Sequence, residues 1–82
     1  MTIQILGMGC PKCQMLARNA QRAIQDTGID AQIEKITDME TITEMGMLVS
    51  PGLAVNNELI QSGRILSSEQ IARILRERSE AQ

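Results

Sequence analysis

Two rhythms of apolar and polar positions alternate along the chain, and the switches between them mark its elements. Thr2-Ile3-Gln4-Ile5-Leu6 is apolar and β-branched and predicts a first strand. From Pro11 to about Thr27 the residues Cys13, Leu16, Ala17, Ala20 and Ile24 recur at helical spacing, with Gln14, Arg18, Gln21, Arg22 and Gln25 on the opposite side. Gly28 fits a left-handed C-cap, with Ile29 placed to fold back on Ile24. The run Ala31 to Ile36 alternates well enough for a half-buried strand. Thr37 with Glu40 forms a capping-box pattern for a short second helix that buries Met39, Ile42 and Met45 and stops at Gly46. Leu53-Ala54-Val55 and Glu58-Leu59-Ile60-Gln61 are short strands. Asn56-Asn57 joins them, because asparagine tolerates the positive φ of a tight hairpin. Ser67 with Gln70 caps a last helix that buries Ile71, Ile74 and Leu75 and carries Arg73, Arg76 and Arg78 towards its C-terminal end.

The order is β-α-β-α-β-β-α, an α/β chain. A right-handed crossover makes the first two strands parallel neighbours, and the Asn-Asn turn makes the last two antiparallel. A four-stranded mixed sheet flanked by helices follows. Residues 1–78 form one domain, and 79–82 are expected to fray.

Composition narrows the classes. A chain of 82 residues has a modest core, burying about 60–65% of its unfolded surface. It has no Phe, Tyr or Trp, and six methionines help to fill the interior. Met8, Met39, Met45 and Met47 are expected near one end of the fold, as packing in place of aromatics. Eight Lys and Arg against ten Asp and Glu give no basic face for nucleic acid or an anionic membrane surface. The lack of aromatics removes base-stacking platforms. No apolar run is long enough to span a bilayer, and the N-terminus lacks a signal-peptide pattern. A cytoplasmic protein is expected. There, paired cysteines are more often redox-active or metal-binding than structural.

Both cysteines lie in Gly7-Met8-Gly9-Cys10-Pro11-Lys12-Cys13, between the first strand and the first helix. Cys10 falls at a helix N-terminus, with Pro11 suited to the first helical position. Unpaired backbone N–H groups and the helix dipole favour an anion there, and a thiolate is one. Lys12 adds a positive charge nearby, although it reads first as a solvated helix residue. The local chemistry is a dithiol able to cycle with a disulfide, with a lowered Cys10 pKa.

The glycine-flanked Cys10-Pro11-Lys12-Cys13, the run Thr37-Asp38-Met39-Glu40, and Ser50-Pro51-Gly52-Leu53-Ala54-Val55 resemble the small thioredoxin/glutaredoxin-like redox-active disulfide protein 2 family. The resemblance covers nearly the whole chain. It implies a minimal thioredoxin-like fold with strand order 2-1-3-4 and a cis peptide bond before Pro51, beside the cysteines. It also implies a thiol–disulfide oxidoreductase of the protein disulfide reductase kind. Cys10 is then the nucleophile and Cys13 the resolving cysteine. Ser50 and Pro51 contact substrate, Ser50 through its backbone. The expected partners are a protein disulfide and a reductase such as a thioredoxin reductase-like flavoprotein. No cofactor and a monomeric state are expected. Three positions depart from thioredoxin proper. Gly9 stands where an aromatic usually precedes the first cysteine, Pro11-Lys12 replaces Gly-Pro, and Gln4 replaces a buried acid that helps proton transfer at the resolving cysteine. No histidine exists to take that acid's place.

Two other readings accompany this one. Met8-x-Cys10-x-x-Cys13 also matches the copper(I) loop of heavy-metal-associated domains, and two soft thiolates suit Cu(I). That fold runs β-α-β-β-α-β, ends on a strand and gives Pro51 no role. A zinc site would need four ligands, and the chain offers two thiolates and no histidine. The other reading is an electron-transfer adaptor dedicated to one enzyme.

Overall fold

A computed structural model describes residues 1–80. Its strands are β1 (Thr2–Leu6), β2 (Gln32–Ile36), β3 (Gly52–Val55) and β4 (Glu58–Ser62). Its helices are α1 (Pro11–Thr27), α2 (Met39–Glu44) and α3 (Ser68–Glu80). The strands form one sheet in the order β2-β1-β3-β4. β1 pairs parallel with β2 and antiparallel with β3, and β3 pairs antiparallel with β4. Helix α2 stands between β2 and β3, and the described chain ends on a helix, unlike the β-α-β-β-α-β order of a heavy-metal-associated domain.

The alternation of β1 sends its side chains to two cores. Ile3 and Ile5 join Leu53, the buried stripe of α1 and Ile71, Ala72 and Leu75 of α3 on one face. Leu6 joins Ile42 of α2 and Ala54 on the other, closed by Ile36, Met45, Met47 and Leu59. Two helices thus cover one face and one short helix covers the other. All four β3 residues are buried, as befits a central strand with both faces covered.

Local signals explain the joints. Gly28 closes α1 at φ 67°, its N–H donating to Ile24 O. Asn56 and Asn57 both have positive φ, at 51° and 69°, the requirement of a tight hairpin between β3 and β4. Register jumps between Leu53 and Ala54, which face Gln61 and Leu59, so Ile60 is the extra residue of a bulge. Ser67 and Gln70 satisfy each other's backbone N–H groups ahead of α3.

Several expectations shift. The N-cap of α2 is Asp38, not Thr37: its carboxylate accepts from Thr41 N and Thr41 Oγ1. Starting one residue later makes Met39 the first helical residue, and it stays 57% exposed instead of buried. In α1 the fully buried residues are Cys13, Leu16, Ala20 and Ala23, while Ala17 and Ile24 are half-buried. In α3 Ala72 is buried and Ile74 half-buried. That helix also runs through Ser79 and Glu80, assigned above to a frayed tail. The rest of that tail, 81–82, lies outside the described residues. Among the described residues no helix is long and apolar enough to cross a membrane.

Candidate active site

The C-terminal end of β1 is the meeting point. Parallel pairing brings the end of β2 beside it, and Gly7 N continues the ladder by donating to Ile36 O. Antiparallel pairing sets Gly52 of β3 opposite Leu6. The loop after β1 and the loop before β3 therefore converge, and the first carries the cysteines while the second carries Ser50-Pro51.

Cys10 is the N-cap of α1, in extended backbone, with Pro11 beginning the helix. Its sulfur takes the part usually played by a serine or aspartate oxygen, accepting from Cys13 N at 3.3 Å. The two sulfurs lie 2.6 Å apart, and both cysteines are free thiols. Cys10 is half-exposed and Cys13 buried. The pair is therefore asymmetric: one sulfur meets solvent and the other sits behind it.

The Cys10 thiol is held below its ordinary range. The Cys13 thiol contributes most, followed by the Cys13 backbone N–H, against an opposing push from burial; the Ser50 hydroxyl and the Lys12 backbone N–H add to the lowering. The part taken by Lys12 thus comes through its backbone amide, and its side chain is exposed.

Cys13 Sγ faces two groups that the sequence did not single out for it. Ser50 Oγ is 3.6 Å away, so the Ser50 hydroxyl, and not just its backbone, belongs to the site. Gly7 is the other. A Cβ built on it would collide with Cys13 Sγ and lie 3.3 Å from Ser50 Oγ. Gly7 and Gly9 look alike in sequence, as turn glycines. Gly9 does adopt a positive φ of 78° with open space around it, whereas Gly7 is buried and serves to make room for sulfur. Behind Cys13 a small cavity of about 40 Å³ is lined by Ile5, Gly7, Gly9, Gln14, Lys35 and Thr37 as well.

Gln4 lies elsewhere. It is 3% exposed, and its side chain is committed to the hairpin and the edge strand. Nε2 donates to Asn57 Oδ1 at 2.6 Å and Glu34 Oε1 at 3.1 Å, and Oε1 accepts from Asn57 N at 2.7 Å. It is a satisfied core amide.

The Ser50–Pro51 peptide is cis and Pro51 is buried, its carbonyl accepting from Gly63 N at 2.7 Å. Exposed apolar side chains occur in the loops that carry the site and at the start of α2. Met8 and Met39 are exposed, and in the loop leading to Ser50, Leu48 is 93% exposed and Val49 58%. Thiols are the soft donors here, and among the described residues no three of Cys, Asp or Glu converge on one point.

The Thioredoxin domain family model matches residues 1–76. The chain belongs to the thioredoxin family. A curated thioredoxin of Methanothermobacter thermautotrophicus is 52% identical over 75 residues, spanning 92% of this chain and 97% of that one. A thioredoxin of Methanocaldococcus jannaschii is 49% identical over 37 residues, 45% of this chain and 43% of its own. A solved structure described as that of a malarial protein superposes with a TM-score of 0.64 over 94% of this chain and 97% of that one, at 14% identity, a likeness of fold. Thioredoxin membership supports a thiol–disulfide oxidoreductase-like role.

Proposed function

We propose that this thioredoxin-family chain is a small protein disulfide reductase working through Cys10 and Cys13. The observation that carries the reading is the asymmetric sulfur pair: a half-exposed Cys10 thiol, lowered in pKa, in contact at 2.6 Å with a buried Cys13. The Cys10 thiolate attacks one sulfur of a substrate disulfide, forming a mixed disulfide and expelling the other substrate sulfur as a thiolate. Cys13 then attacks Cys10 Sγ. The Cys10–Cys13 bond forms, the substrate's remaining sulfur departs with the electron pair, and the Cys13 proton ends on that sulfur. The substrate disulfide is reduced by two electrons and the protein dithiol is oxidised.

Pro51 lacks an N–H and a reactive side chain, so at this place it shields the dithiol without offering a ligand. The backbone of Ser50 offers pairing groups to an extended substrate segment, the strand-addition mode. The exposed Met8, Leu48 and Val49 supply an apolar rim for the same segment. A flavoprotein of the thioredoxin reductase kind returns the protein to the dithiol, in a reducing cytoplasm that sets the direction of exchange. The site is built within one chain, in keeping with a monomer.

The test is a single-turnover reaction with a peptide disulfide, quenched and read by mass. Wild-type protein passes to the oxidised form, Cys13→Ser accumulates the mixed disulfide on Cys10, and Cys10→Ser reacts with neither outcome. Wild-type protein that stays reduced, or a Cys10→Ser variant that reacts as fast, overturns the reading.

A further inference from the structure

Resolution of the mixed disulfide requires Cys13 to lose a proton, and the position where thioredoxin carries a buried acid is Gln4, turned away to Asn57 and Glu34. The groups that do face Cys13 are few. Gly7 presents only backbone, Ser50 Oγ lies at 3.6 Å, and the cavity behind is lined by Lys35, Thr37 and Gln14 among apolar and glycine neighbours. Of these, Ser50 stands beside the loop where the substrate would lie. We infer that the Ser50 hydroxyl is the positioning and proton-relaying group for Cys13, and that Gly7 is the seat that holds the Cys13 sulfur against it.

This inference rests on the dithiol reading above. As Cys13 Sγ attacks Cys10 Sγ, its proton passes to Ser50 Oγ while the Ser50 O–H proton passes to the departing substrate thiolate. The Cys10–Cys13 bond forms, the Cys10–substrate bond breaks, the substrate leaves as a thiol, and serine ends as it began. A hydroxyl suits this task because it donates and accepts at once. It also needs no ionisation of its own, so it works in a site without an acid. Cys13 Sγ in turn lies 2.6 Å from Cys10 Sγ, so the hydroxyl stands one sulfur away from the bond that changes hands.

The experiment uses the full chain and bis(2-hydroxyethyl) disulfide, whose leaving thiol needs a proton near neutral pH. Reduced, mixed and oxidised protein are counted by mass after acid quenching, from pH 6 to pH 9. Ser50→Val and Ser50→Thr are compared, since they differ only in a methyl against a hydroxyl. Ser50→Val is expected to form the mixed disulfide but resolve it roughly a hundredfold more slowly at pH 7, a loss at the low end of proton-transfer catalysis. Its deficit should shrink as pH rises and hydroxide takes the proton directly, while Ser50→Thr stays near wild type throughout. Equal resolution rates for the two variants, or a deficit that does not change with pH, overturns the inference. Wild-type protein forming no mixed disulfide at all would count against the dithiol reading instead, so the two failures are distinct.

Discussion

Gly7→Ala puts one methyl group where the fold has stored a sulfur. Gly7 has no positive φ, so alanine meets no backbone penalty there and its effect is one of volume. The added Cβ falls well inside 3.0 Å of Cys13 Sγ, where ordinary contact begins at 3.4 Å. The sulfur must retreat by about an ångström, or rotate to its other helical rotamer, since the g+ well is blocked by the preceding turn. Overpacking a filled core costs about 1–3 kcal/mol. A small domain loses about 4–8 °C of melting temperature per kcal/mol. Chemistry should suffer more than stability, because retreat breaks the 2.6 Å contact between the sulfurs. Misplacement of a reacting atom by ~1 Å costs on the order of a hundredfold in rate.

Two measurements separate these effects: thermal melts of the reduced protein, and disulfide closure timed by acid quench and mass. Gly7→Ala should melt lower and close roughly a hundredfold more slowly, and Cys10 should alkylate more slowly as well, since the Cys13 thiol contributes most to its lowered pKa. Gly9→Ala is the control. Its Cβ points into open space but its φ is 78°, so it should lose about 1–2 kcal/mol to the left-handed backbone and close at the wild-type rate. Closure by Gly7→Ala at the wild-type rate would refute the claim that this glycine seats the sulfur.

The lowered Cys10 pKa makes it the faster of the two thiols towards iodoacetamide, with a midpoint below the ~8.5 of free cysteine; equal rates for Cys10 and Cys13 would contradict the asymmetry. Because the folded value is depressed, the stabilisation by Cys10 is complete above the ordinary thiol range and lost as pH falls through the lowered value. The melting-temperature advantage of reduced wild type over Cys10→Ser should therefore grow with pH, and a flat difference counts against it. Gln4→Leu removes three partly buried hydrogen bonds and takes the side-chain acceptor from Asn57 N, so it should cost about 1–3 kcal/mol in denaturant melts while Cys10 alkylation is unchanged. Asp38→Ala should lower the melting temperature by a few degrees at neutral pH, with Asp38→Asn retaining most of it. The Thr41 hydroxyl and N–H hold the Asp38 carboxyl below its usual range, so the gap should close as pH falls through that lowered value.

What the sequence made legible was mostly local. Gly28, Asn56-Asn57 and the Ser67/Gln70 pair each announce a backbone geometry through their own chemistry, and each occurs where expected. The cap of α2 was ambiguous because Thr37 and Asp38 are adjacent and both are good capping residues. Choosing the first turned Met39 into a core residue that the fold leaves exposed. The surroundings of Cys13 were hidden for a different reason. Gly7 and Ser50 are far apart in the chain and meet only through the β1–β3 register. A glycine that makes room and a glycine that turns read identically until the neighbour is known. A serine before a proline likewise gives no sign that its hydroxyl faces sulfur.

The capping of α1 and part of the lowering of its thiol's pKa come from the same hydrogen bond. A helix N-terminus leaves backbone N–H groups without partners, and here Cys10 Sγ accepts from one of them at 3.3 Å. That hydrogen bond both favours the thiolate and ties down the first turn, and the turn carries Cys13. When Cys10 is bonded to a substrate sulfur it is no longer an anion, and the N–H groups lose most of what held them. Cys13 N is the donor in that contact, so on the proposed mechanism a mixed disulfide on Cys10 weakens the backbone tie of the residue that resolves it. The seat formed by Gly7 and Ser50 Oγ does not depend on the charge of Cys10. On the proposed mechanism it keeps the Cys13 sulfur within reach of Cys10 while its backbone anchor slackens.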